Sequence, residues 1–523
     1  MAGAPHPDGR SSRTGPAETV DTQVIVVGAG PVGLLLAGEL ALRGIQVTLV
    51  ERRHGPTTQS RASTLHARTM ELLDSRGLLA DLGSPPCEPR GHFGGIPLDL
   101  TLPGPYPGQW KVPQTRTEAV LEEWALGLGA DLRCGHTLHA VRDLGSHVEA
   151  DATSRHGTRV TLRAAHLVAC DGQDSTVRRL TGADFPGTPA ARELLRADVE
   201  GVDLPNRRFE RLPGGLAVAA RNRAGVTRVM VHEFGAAVRE RAGAPDFDEM
   251  AAAWKRVTGE DITGATPLWV GHFDDENRIL ARYRHGRVLF AGDAAHRQMP
   301  IGGQALNLGL QDAYNLGWKL AAAVDGTAPP ALLDSYDTER AAVGAAVLAN
   351  IRAQALLLLG GPEVEGLRTV LAELVAHEEV RAPLAAMISG LDVRYDVGGP
   401  EHPLRGARLP HVRLRVGEIV CTTAELLRSG RGLLLGLGAP PPRLDATAAG
   451  RVDTLTAHPA PGSPLEGTPA LLVRPDGHVV WAGGRDGNGL AEAAGRWFGL
   501  PRAVRPRTAH FPSSPPPPST DHR

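Results

Sequence analysis

The feature that most constrains the fold of this chain is a glycine-rich turn between an apolar strand and a helix. Residues 24–27 read Val-Ile-Val-Val, the motif Gly28-Ala-Gly-Pro-Val-Gly33 follows, and residues 34–43 have helical apolar spacing. A second apolar run ends at Glu51, 23 residues after Gly28. Strand, glycine turn, helix and acidic residue match the dinucleotide-binding βαβ unit. The sequence therefore predicts a Rossmann-like α/β domain.

The three glycines of this turn have different tasks in holding a pyrophosphate. Gly28 allows the tight turn, Gly30 lets the backbone approach the phosphates, and Gly33 lets helix and strand pack closely. The helix N-terminus adds unpaired N–H groups and the positive end of its dipole. A Glu51 carboxylate would accept hydrogen bonds from a ribose diol and repel a 2′-phosphate, which favours FAD or NAD over NADP. The motif alone does not separate FAD from NAD.

Length, charge and cysteine content exclude several other classes of protein. A chain of 523 residues is too long for one hydrophobic core, so we expect at least two domains. A formal charge of −2 argues against a strongly basic nucleic-acid-binding protein. Four scattered cysteines are too few for a disulfide framework or a zinc site, and the N-terminus lacks an apolar signal segment. We therefore expect a cytoplasmic protein that holds no metal and does not span a membrane.

The hydrophobic pattern changes along the chain. Residues 190–282 contain alternating runs that favour an antiparallel sheet, whereas 331–359 and 362–390 are long helical stretches rich in Ala and Leu. Near the C-terminus, the apolar runs 470–473 and 478–482 flank Arg-Pro-Asp-Gly, which predicts a β-hairpin.

Two later segments also place polar turns after apolar strands. One strand ends in Gly-Asp293, and Pro300-Ile-Gly-Gly303 then leads into a helix over 308–323. An Asp at the carboxyl end of a strand can hold a polyol hydroxyl, and a Gly-Gly turn at a helix start can present N–H groups to an anion. Another strand ends at Asp171, which opens the segment Asp-Gly-Gln-Asp-Ser-Thr-Val-Arg-Arg.

These three motifs, in this order, resemble those of the group A flavoprotein monooxygenases, the para-hydroxybenzoate hydroxylase-like family. The resemblance also takes in the segments 60–62, 66–73 and 113–118. The C-terminal part is similar to the thioredoxin-like domain of members that modify aromatic polyketides. Cys421 has no CxxC partner there, so we expect packing or homodimerisation rather than dithiol chemistry of this domain.

The resemblance implies an α/β fold of three domains: a discontinuous Rossmann-like FAD domain, an antiparallel-sheet substrate domain and a thioredoxin-like domain. The expected boundaries are a disordered tail over 1–20, the first part of the FAD domain over 21–189, the substrate domain over 190–282, the second part of the FAD domain with long helices over 283–396, the thioredoxin-like domain over 397–512 and a disordered tail over 513–523.

Matching the family's motifs also implies the cofactor-binding residues. Gly28, Gly30 and Gly33 would meet the FAD pyrophosphate. Glu51 would bind the adenine ribose, and Arg52 would lie on the adenine side. Arg61 matches an arginine near the flavin and nicotinamide phosphates, and we expect it to position the cofactors rather than to act as a base.

The later motifs imply the residues around the flavin. The matched positions are Gln114 near the ribityl and phosphate region, Asp171 and Arg178 in the Asp-Gly motif, Asp293 on the ribityl chain, and Pro300, Gly302, Gly303 and Asn307 beside the isoalloxazine. Ala305 departs from the family pattern, because members carry glycine there. Its methyl group would lie in the loop beside the flavin.

The resemblance implies a monooxygenase reaction. NAD(P)H, with NADPH favoured, would reduce non-covalent FAD, O2 would form a flavin C4a-hydroperoxide, and its distal oxygen would pass to an electron-rich phenolic ring. The chain contains no second dinucleotide fingerprint, in keeping with transient NAD(P)H binding. We expect a polycyclic phenol or quinone as substrate, such as an angucycline or anthracycline intermediate, with a single-ring phenol second.

Other reactions remain open from the sequence. The same cofactor chemistry supports Baeyer–Villiger insertion of oxygen beside a ketone, and an FAD-dependent reductase would transfer no oxygen. A flavoprotein without enzymatic activity is the last alternative.

Several conspicuous side chains near the motifs are expected to have structural roles. We expect His66 and His296 to support the loops rather than to catalyse, Ser175 to cap a helix, and Tyr314 and Trp318 to pack in the core.

Overall fold

The first part of the chain alternates strands with helices, as the glycine motif predicts. The computed structural model describes residues 20–57, 62–222, 225–241, 243–444 and 450–499. Up to residue 188 the elements are β1 (Val24–Val27), α1 (Pro31–Ala41), β2 (Val47–Glu51), β3 (Thr64–His66), α2 (Ala67–Asp74), α3 (Leu79–Leu82), β4 (Cys87–Glu88), β5 (Arg90–Phe93), β6 (Ile96–Asp99), β7 (Gln109–Lys111), α4 (Gln114–Gly127), β8 (Asp131–Cys134), β9 (Thr137–Asp143), β10 (Val148–Thr153), β11 (Arg159–Ala164), β12 (His166–Ala169), α5 (Thr176–Thr181) and β13 (Gly187–Thr188).

The middle of the chain forms further strands and then long helices. Its elements are β14 (Glu193–Glu200), β15 (Arg207–Leu212), β16 (Gly215–Arg221), β17 (Thr227–Glu233), α6 (Phe247–Thr258), β18 (Thr266–Asp274), β19 (Asn277–Ile279), β20 (Arg284–His285), β21 (Val288–Phe290), β22 (His296–Arg297), α7 (Gln304–Val324), α8 (Asp334–Leu359), α9 (Glu365–Leu374) and α10 (Glu378–Ser389). The predicted stretch 362–390 is thus interrupted, because His377 is extended and two glutamates open α10.

The last described part is a sheet with one helix. Its elements are β23 (Arg413–Val416), β24 (Ile419–Thr422), β25 (Gly432–Leu437), β26 (Val452–Pro459), β27 (Ala470–Val473), β28 (Val479–Gly483) and α11 (Leu490–Phe498). The predicted tail 513–523, and all but the last residue of the predicted tail 1–20, lie outside the described residues.

The glycine motif belongs to a six-stranded sheet with the order β20-β21-β12-β1-β2-β8. Its strands are parallel except β20, which runs antiparallel to β21. β1 and β12 are buried along their whole length, as expected for strands covered on both faces. Glycines let the covering helices approach: a Cβ on Gly38 would overlap Trp124 of α4, and one on Gly317 would lie 2.5 Å from Glu39 of α1.

The predicted antiparallel sheet is confirmed in the middle of the chain. It has the order β15-β16-β17-β14-β18, with every neighbouring pair antiparallel. One face carries Leu195, Ala197 and Val199, which pack on Met250 and Trp254 of α6. The other face looks toward α8 and the loop before α7, since Leu194 packs with residues of both.

The C-terminal sheet has the strand order β24-β23-β26-β25-β27-β28. β25 and β26 are parallel, whereas β27 and β28 pair antiparallel beside β25. Numbered from β25 onward, the last four strands thus lie in the order 2-1-3-4, which is the arrangement expected of a thioredoxin-like sheet.

The turn of the predicted C-terminal hairpin is buried against α7 and α8. Arg474 is fully buried and donates two hydrogen bonds, of 2.6 and 3.0 Å, to the Glu339 carboxylate on α8. Lys319 on α7 donates to the same carboxylate at 2.7 Å, and Trp318 donates to Asp476 Oδ2 at 3.2 Å. The sequence indicated only an ordinary turn, because its partners lie more than a hundred residues away.

Helix α8 is apolar enough over an 18-residue window to cross a membrane, judged by length and composition alone. Half of that window is buried within the protein, as in the core helix of a folded domain. Its first turns also carry Glu339 and Arg340, both of which form buried ion pairs.

Arg474→Ala tests whether this hairpin holds the C-terminal sheet against α7 and α8. The substitution leaves the Glu339 and Asp476 carboxylates without their main cation, so we expect the free energy of unfolding to fall by about 3–5 kcal/mol. Urea unfolding followed by tryptophan fluorescence measures it. Arg413→Ala removes an exposed arginine of the same region and is the control. Equal stability of the two variants would contradict this role.

Candidate active site

The glycine turn after β1 has the geometry of a pyrophosphate cradle. Gly28 has φ +100°, and a Cβ there would overlap the carbonyl oxygen of Cys170 at the end of β12. A Cβ on Gly33 would overlap the carbonyl oxygen of Gly28. Gly30, by contrast, faces open space and is the N-cap of α1. The backbone is therefore closed on the protein side and open where a ligand would lie.

Glu51 lies at the end of β2 and is oriented by backbone groups. Its Oε2 accepts a hydrogen bond from the Ala29 N–H at 2.8 Å, and its Oε1 accepts from the Arg53 N–H at 2.8 Å. Oε1 also accepts from Arg53 Nε at 3.2 Å. A carboxylate has about four acceptor positions, so capacity for one ribose hydroxyl remains. The contact with Ala29 fixes this carboxylate directly beside the glycine turn.

Arg53 makes the contacts on this side of the site, whereas Arg52 is exposed. Arg53 Nη2 donates to the Ala29 carbonyl at 3.1 Å and Nη1 lies 3.5 Å from Glu118 Oε2. Arg52 was the residue predicted for the adenine side, and no role was predicted for Arg53. Alternation along a strand could not have indicated Arg53, because the chain bends directly after β2.

Gln114 begins α4 and joins this group. Its Nε2 donates to Glu118 Oε1 at 2.8 Å, and its Oε1 accepts from the Ala62 N–H at 3.2 Å. Gln114 thus ties the start of α4 to the segment before β3. Arg61, the residue before Ala62, lies outside the described residues.

The three sequence motifs meet at one edge of the central sheet. β21, β12 and β1 are neighbouring parallel strands, so their carboxyl ends lie side by side. Gly30, Asp171 and Asp293 follow these three ends. A Cβ on Gly28 would lie 2.9 Å from Asp171 Cα, and one on Gly292 would lie 3.0 Å from Val32 of α1. Ligands of parallel α/β sheets bind at this edge.

One carboxylate oxygen of Asp171 accepts a hydrogen bond, and the other has no partner among the described residues. Oδ2 accepts from the Val177 N–H at 3.0 Å, whereas Oδ1 is buried with no hydrogen-bond partner among the described residues. Burial raises the pKa of this carboxyl group. An unpaired buried oxygen at the rim of the glycine turn fits an additional donor from a ligand.

Arg178 joins the Asp-Gly motif to the motif that follows β21. Its Nη1 donates to the Ala294 carbonyl at 3.0 Å, and its guanidinium lies 4.0 Å from the centre of the Phe185 ring. Ser175 Oγ accepts from the Arg178 N–H at 3.0 Å, which confirms the predicted helix cap. Asp293, one residue before Ala294, is exposed at the sheet edge.

The loop before α7 has the left-handed backbone that glycine favours. Gly302 and Gly303 have φ of +65° and +71°, and α7 begins at the next residue. Pro300 before them is exposed and Ala305 after them is half-buried. The 21-residue helix α7 therefore points its N-terminus and its free N–H groups at this loop.

Both polar atoms of the Asn307 side chain form hydrogen bonds within the protein. Its Oδ1 accepts from the His66 N–H at 2.9 Å and from Thr69 Oγ1 at 2.6 Å, while its Nδ2 donates to the carbonyls of Thr64 and Gly303 at 3.0 and 2.8 Å. Asn307 lies at the predicted loop, and these bonds make it the residue that holds β3 against the start of α7.

His66 is held neutral beside the same loop. Burial lowers its pKa to about 4, and its Nε2 lies 2.8 Å from the Gly302 carbonyl. A carbonyl only accepts, so Nε2 carries the proton. The predicted supporting role of His66 agrees with this geometry.

His296 is fully buried and pairs with a residue that the sequence analysis did not assign. Its Nε2 lies 2.9 Å from Asp312 Oδ2, which also accepts from the Gly292 N–H at 3.1 Å. Arg340 donates to Asp312 Oδ1 at 2.7 Å. Asp312 itself was the sequence signal for this contact, because a carboxylate on the buried face of α7 requires a cation nearby. Asp312 fixes the turn that carries Asp293.

The residues at this edge fit an FAD molecule. The open cradle at Gly30, the uncommitted Asp171 oxygen and the two left-handed glycines before α7 provide places for a pyrophosphate, a polar donor and a flat ring, respectively.

Tyr314 and Trp318 are core residues, as predicted: both are buried, and the Tyr314 hydroxyl lies 2.5 Å from Ser75 Oγ.

Comparisons with known proteins agree with this geometry. Residues 21–351 match the FAD binding domain family, and residues 402–501 match the aromatic-ring hydroxylase C-terminal family. The chain is 40% identical over 506 residues to the 12-dehydrotetracycline 5-monooxygenase/anhydrotetracycline 6-monooxygenase of Streptomyces rimosus subsp. rimosus, covering 91% of this chain and 99% of that protein.

Two further similarities bear on function. The solved structure of CabE, an aromatic hydroxylase from angucycline biosynthesis, is 46% identical with a TM-score of 0.86, covering 92% of this chain and 99% of CabE. The dialkyldecalin synthase of Streptomyces rugosporus is 38% identical over 483 residues, covering 91% of this chain and 98% of that protein.

The depressed pKa of His66 predicts a loss of stability in mild acid. The unfolded chain takes up a proton near pH 6.5, whereas the folded protein resists until about pH 4. Stability contributed by His66 is therefore complete above the unfolded pKa and falls as the pH falls. From about pH 7 to about pH 5 the loss is about 2 kcal/mol.

Urea unfolding of the wild type and of His66→Gln at these two pH values measures this contribution. Glutamine keeps a donor for the Gly302 carbonyl but does not titrate. We expect the variant to lose about 2 kcal/mol less between the two conditions. His92, His166 and His478, whose pKa burial also lowers to about 4, are unchanged in both proteins. An identical pH dependence would contradict the assignment.

Proposed function

The chain belongs to the group A flavoprotein monooxygenases, the FAD-dependent aromatic-ring hydroxylases, and we propose that it hydroxylates a polycyclic aromatic polyketide using NAD(P)H and O2. The observation that carries this proposal is the meeting of Gly30, Asp171 and Asp293 at adjacent carboxyl ends of one parallel sheet. The loop over Ile301–Gly303 and the start of α7 complete that edge, because Asn307 and His66 hold them against β3.

Each part of the cofactor has residues that suit it. The pyrophosphate would lie on Gly30 and the N-terminus of α1, the adenine ribose on Glu51 and the ribityl chain on Asp293. The flavin ring would lie against the loop before α7, whose helix dipole stabilises negative charge there by roughly 0.3–2 kcal/mol. When bound, FAD would accept electrons from NAD(P)H and, in its reduced form, would activate O2.

The protein's own contribution is orientation and exclusion of water. Residues 190–282 form the proposed substrate domain. Its sheet packs on the loop before α7, because Leu194 and Met230 share a hydrophobic cluster with Met299 and Ile301. An aromatic substrate would lie between that sheet and the loop. We propose that Arg61 positions the cofactors.

The relatives support a polycyclic substrate. One is named for tetracycline intermediates, and CabE comes from angucycline biosynthesis. The dialkyldecalin synthase supports a second candidate function, a synthase reaction, because it is 38% identical over 91% of this chain. Baeyer–Villiger insertion and simple flavin reduction are the remaining alternatives.

Labelled oxygen distinguishes these reactions. The purified holoenzyme, NADPH and a panel of angucyclic and tetracyclic phenols are incubated under ¹⁸O2, and products are analysed by mass spectrometry and NMR. We expect one labelled oxygen as a new phenolic hydroxyl, with NADPH consumed in step. A labelled lactone would indicate Baeyer–Villiger insertion. Conversion without NADPH would indicate a synthase. Oxidation of NADPH without label in any organic product would indicate a reductase. Each of these three results would contradict the proposed hydroxylation.

Asp293→Ala tests the proposed ribityl contact. Removal of the carboxylate should leave the purified protein largely colourless, because FAD is lost during purification. Asp325→Ala, an exposed aspartate at the other end of α7, is the matched control and should stay yellow. Flavin absorbance per chain measures both. Stoichiometric FAD in Asp293→Ala would refute the assignment.

A further inference from the structure

A buried arginine in the middle of the substrate-domain sheet lacks a hydrogen-bonded partner for its charge among the described residues. Arg196 lies on β14 and is 8% exposed. Its side chain makes no hydrogen bond to any residue that the structure describes, and its buried Nε has no acceptor there. Within the same described part of the chain, the carboxylate oxygen that comes within 4.0 Å is Asp198 Oδ2.

Asp198 is committed to a different cation. Arg228 on β17 donates to both of its oxygens, at 2.7 and 2.8 Å. Burial alone would raise the pKa of Asp198, but Arg228 holds it below the usual value. Asp198 is therefore an ion-pair partner of Arg228, and Arg196 remains without a hydrogen-bonded counter-charge.

Two aromatic rings flank Arg196. Its guanidinium carbon lies 5.1 Å from the centre of the Trp269 ring and 5.7 Å from that of Phe273, both on β18. Gly271 lies opposite Arg196 in the register, and a Cβ there would be only 2.5 Å from the Trp269 ring. The glycine thus lets the indole lie beside the guanidinium. Rings stabilise a cation but do not neutralise it.

Arg196 lies on the sheet face that looks toward the loop before α7. Side chains alternate along a strand, so Leu194 and Arg196 share one face while Leu195 and Ala197 pack on α6. Leu194 and its neighbour Met230, opposite Arg196 in the register, pack with Met299 and Ile301. The guanidinium is therefore on the side where an aromatic substrate would meet the flavin.

The charge of Arg196 persists despite its burial. Burial lowers its pKa to about 10, which still leaves it protonated at neutral pH. An ion removed from water costs several kcal/mol unless a partner of opposite charge offsets it. A bound anion on the same face would supply that partner.

We propose that Arg196 binds an ionised phenolic or enolic oxygen of the aromatic substrate, whose rings lie against Trp269 and Phe273. This inference rests on the proposed function and narrows its substrate class to acidic polycyclic phenols. The hydroxyl proton leaves to solvent, and the planar guanidinium donates to the resulting oxyanion. The negative charge makes the ring more electron-rich, as oxygen transfer to it requires.

A coloured phenol tests this without turnover. The probe is 1,8-dihydroxyanthraquinone, whose visible band moves to longer wavelength when a hydroxyl ionises. It is titrated into oxidised holoenzyme without NAD(P)H, for the wild type, Arg196→Met, Arg196→Lys and Arg221→Met. Arg221 is an exposed arginine of the same sheet and serves as the matched control. Unsubstituted anthraquinone is the control ligand.

The wild type should bind the ionised probe and lower the pH at which the bound probe ionises. Arg196→Met should bind it about tenfold to a hundredfold more weakly and lose that shift, while anthraquinone binding is unchanged. Arg196→Lys should retain part of the shift, and Arg221→Met all of it. The charged groups that face Arg196, Asp198 and Arg228, are unchanged throughout.

Stability and FAD content separate this role from a structural one. Arg196→Met removes a buried charge without a hydrogen-bonded partner, so it should keep its FAD and unfold at the same or a higher temperature. Wild-type affinity and spectral shift in Arg196→Met would overturn the inference. Loss of FAD and of thermal stability in that variant would overturn it as well, because the residue would then be structural. The labelled-oxygen experiment fails or succeeds independently of either result.

Discussion

The close packing of the α1 N-terminus on the ends of β1 and β12 is the contact on which the rest of this structure depends. Gly28 and Gly33 leave no room for a Cβ, so the helix start lies directly above the sheet edge. Its free N–H groups then face the same space as the Asp171 and Asp293 segments. Any side chain at either glycine would lift the helix away from that edge, and the cradle would lose both its shape and its positive potential.

Buried ion pairs connect this edge to distant parts of the chain. Asp312 fixes the Gly292 turn and His296 on one side and accepts from Arg340 of α8 on the other. Arg340 also donates to the Tyr395 hydroxyl at 3.0 Å, beyond the long helices. Together with the buried hairpin turn at Arg474, these contacts make the C-terminal region part of the framework that holds the cofactor edge.

Much of the fold could be predicted from local pattern alone. The βαβ unit, the antiparallel sheet and the helix over 308–323 follow from apolar spacing and glycine placement, and each is present. The predicted and observed ends of these elements differ by one to four residues. Helix α7, for example, was predicted to begin at residue 308 and begins at Gln304. The motifs also predicted that Gly30, Asp171 and Asp293 contact one cofactor, and the structure brings these segments to neighbouring ends of one sheet.

Contacts between residues far apart in sequence could not be predicted in this way. Nothing local indicates that Arg53 rather than Arg52 turns toward Ala29, or that Asp312 receives Arg340. The burial of Arg474 depends on helices that precede it by more than a hundred residues. The lack of a hydrogen-bonded partner for Arg196 emerges only when β14, β17 and β18 are assembled around it.

A crystal structure of the chain with FAD tests the central claim most directly. We expect density for the pyrophosphate against Gly30 and the start of α1, for the ribityl chain beside Asp293, and for the flavin ring against Gly302 and Gly303. FAD bound at any other surface, or a cradle at Gly30 that stays filled with water at saturating FAD, would contradict it.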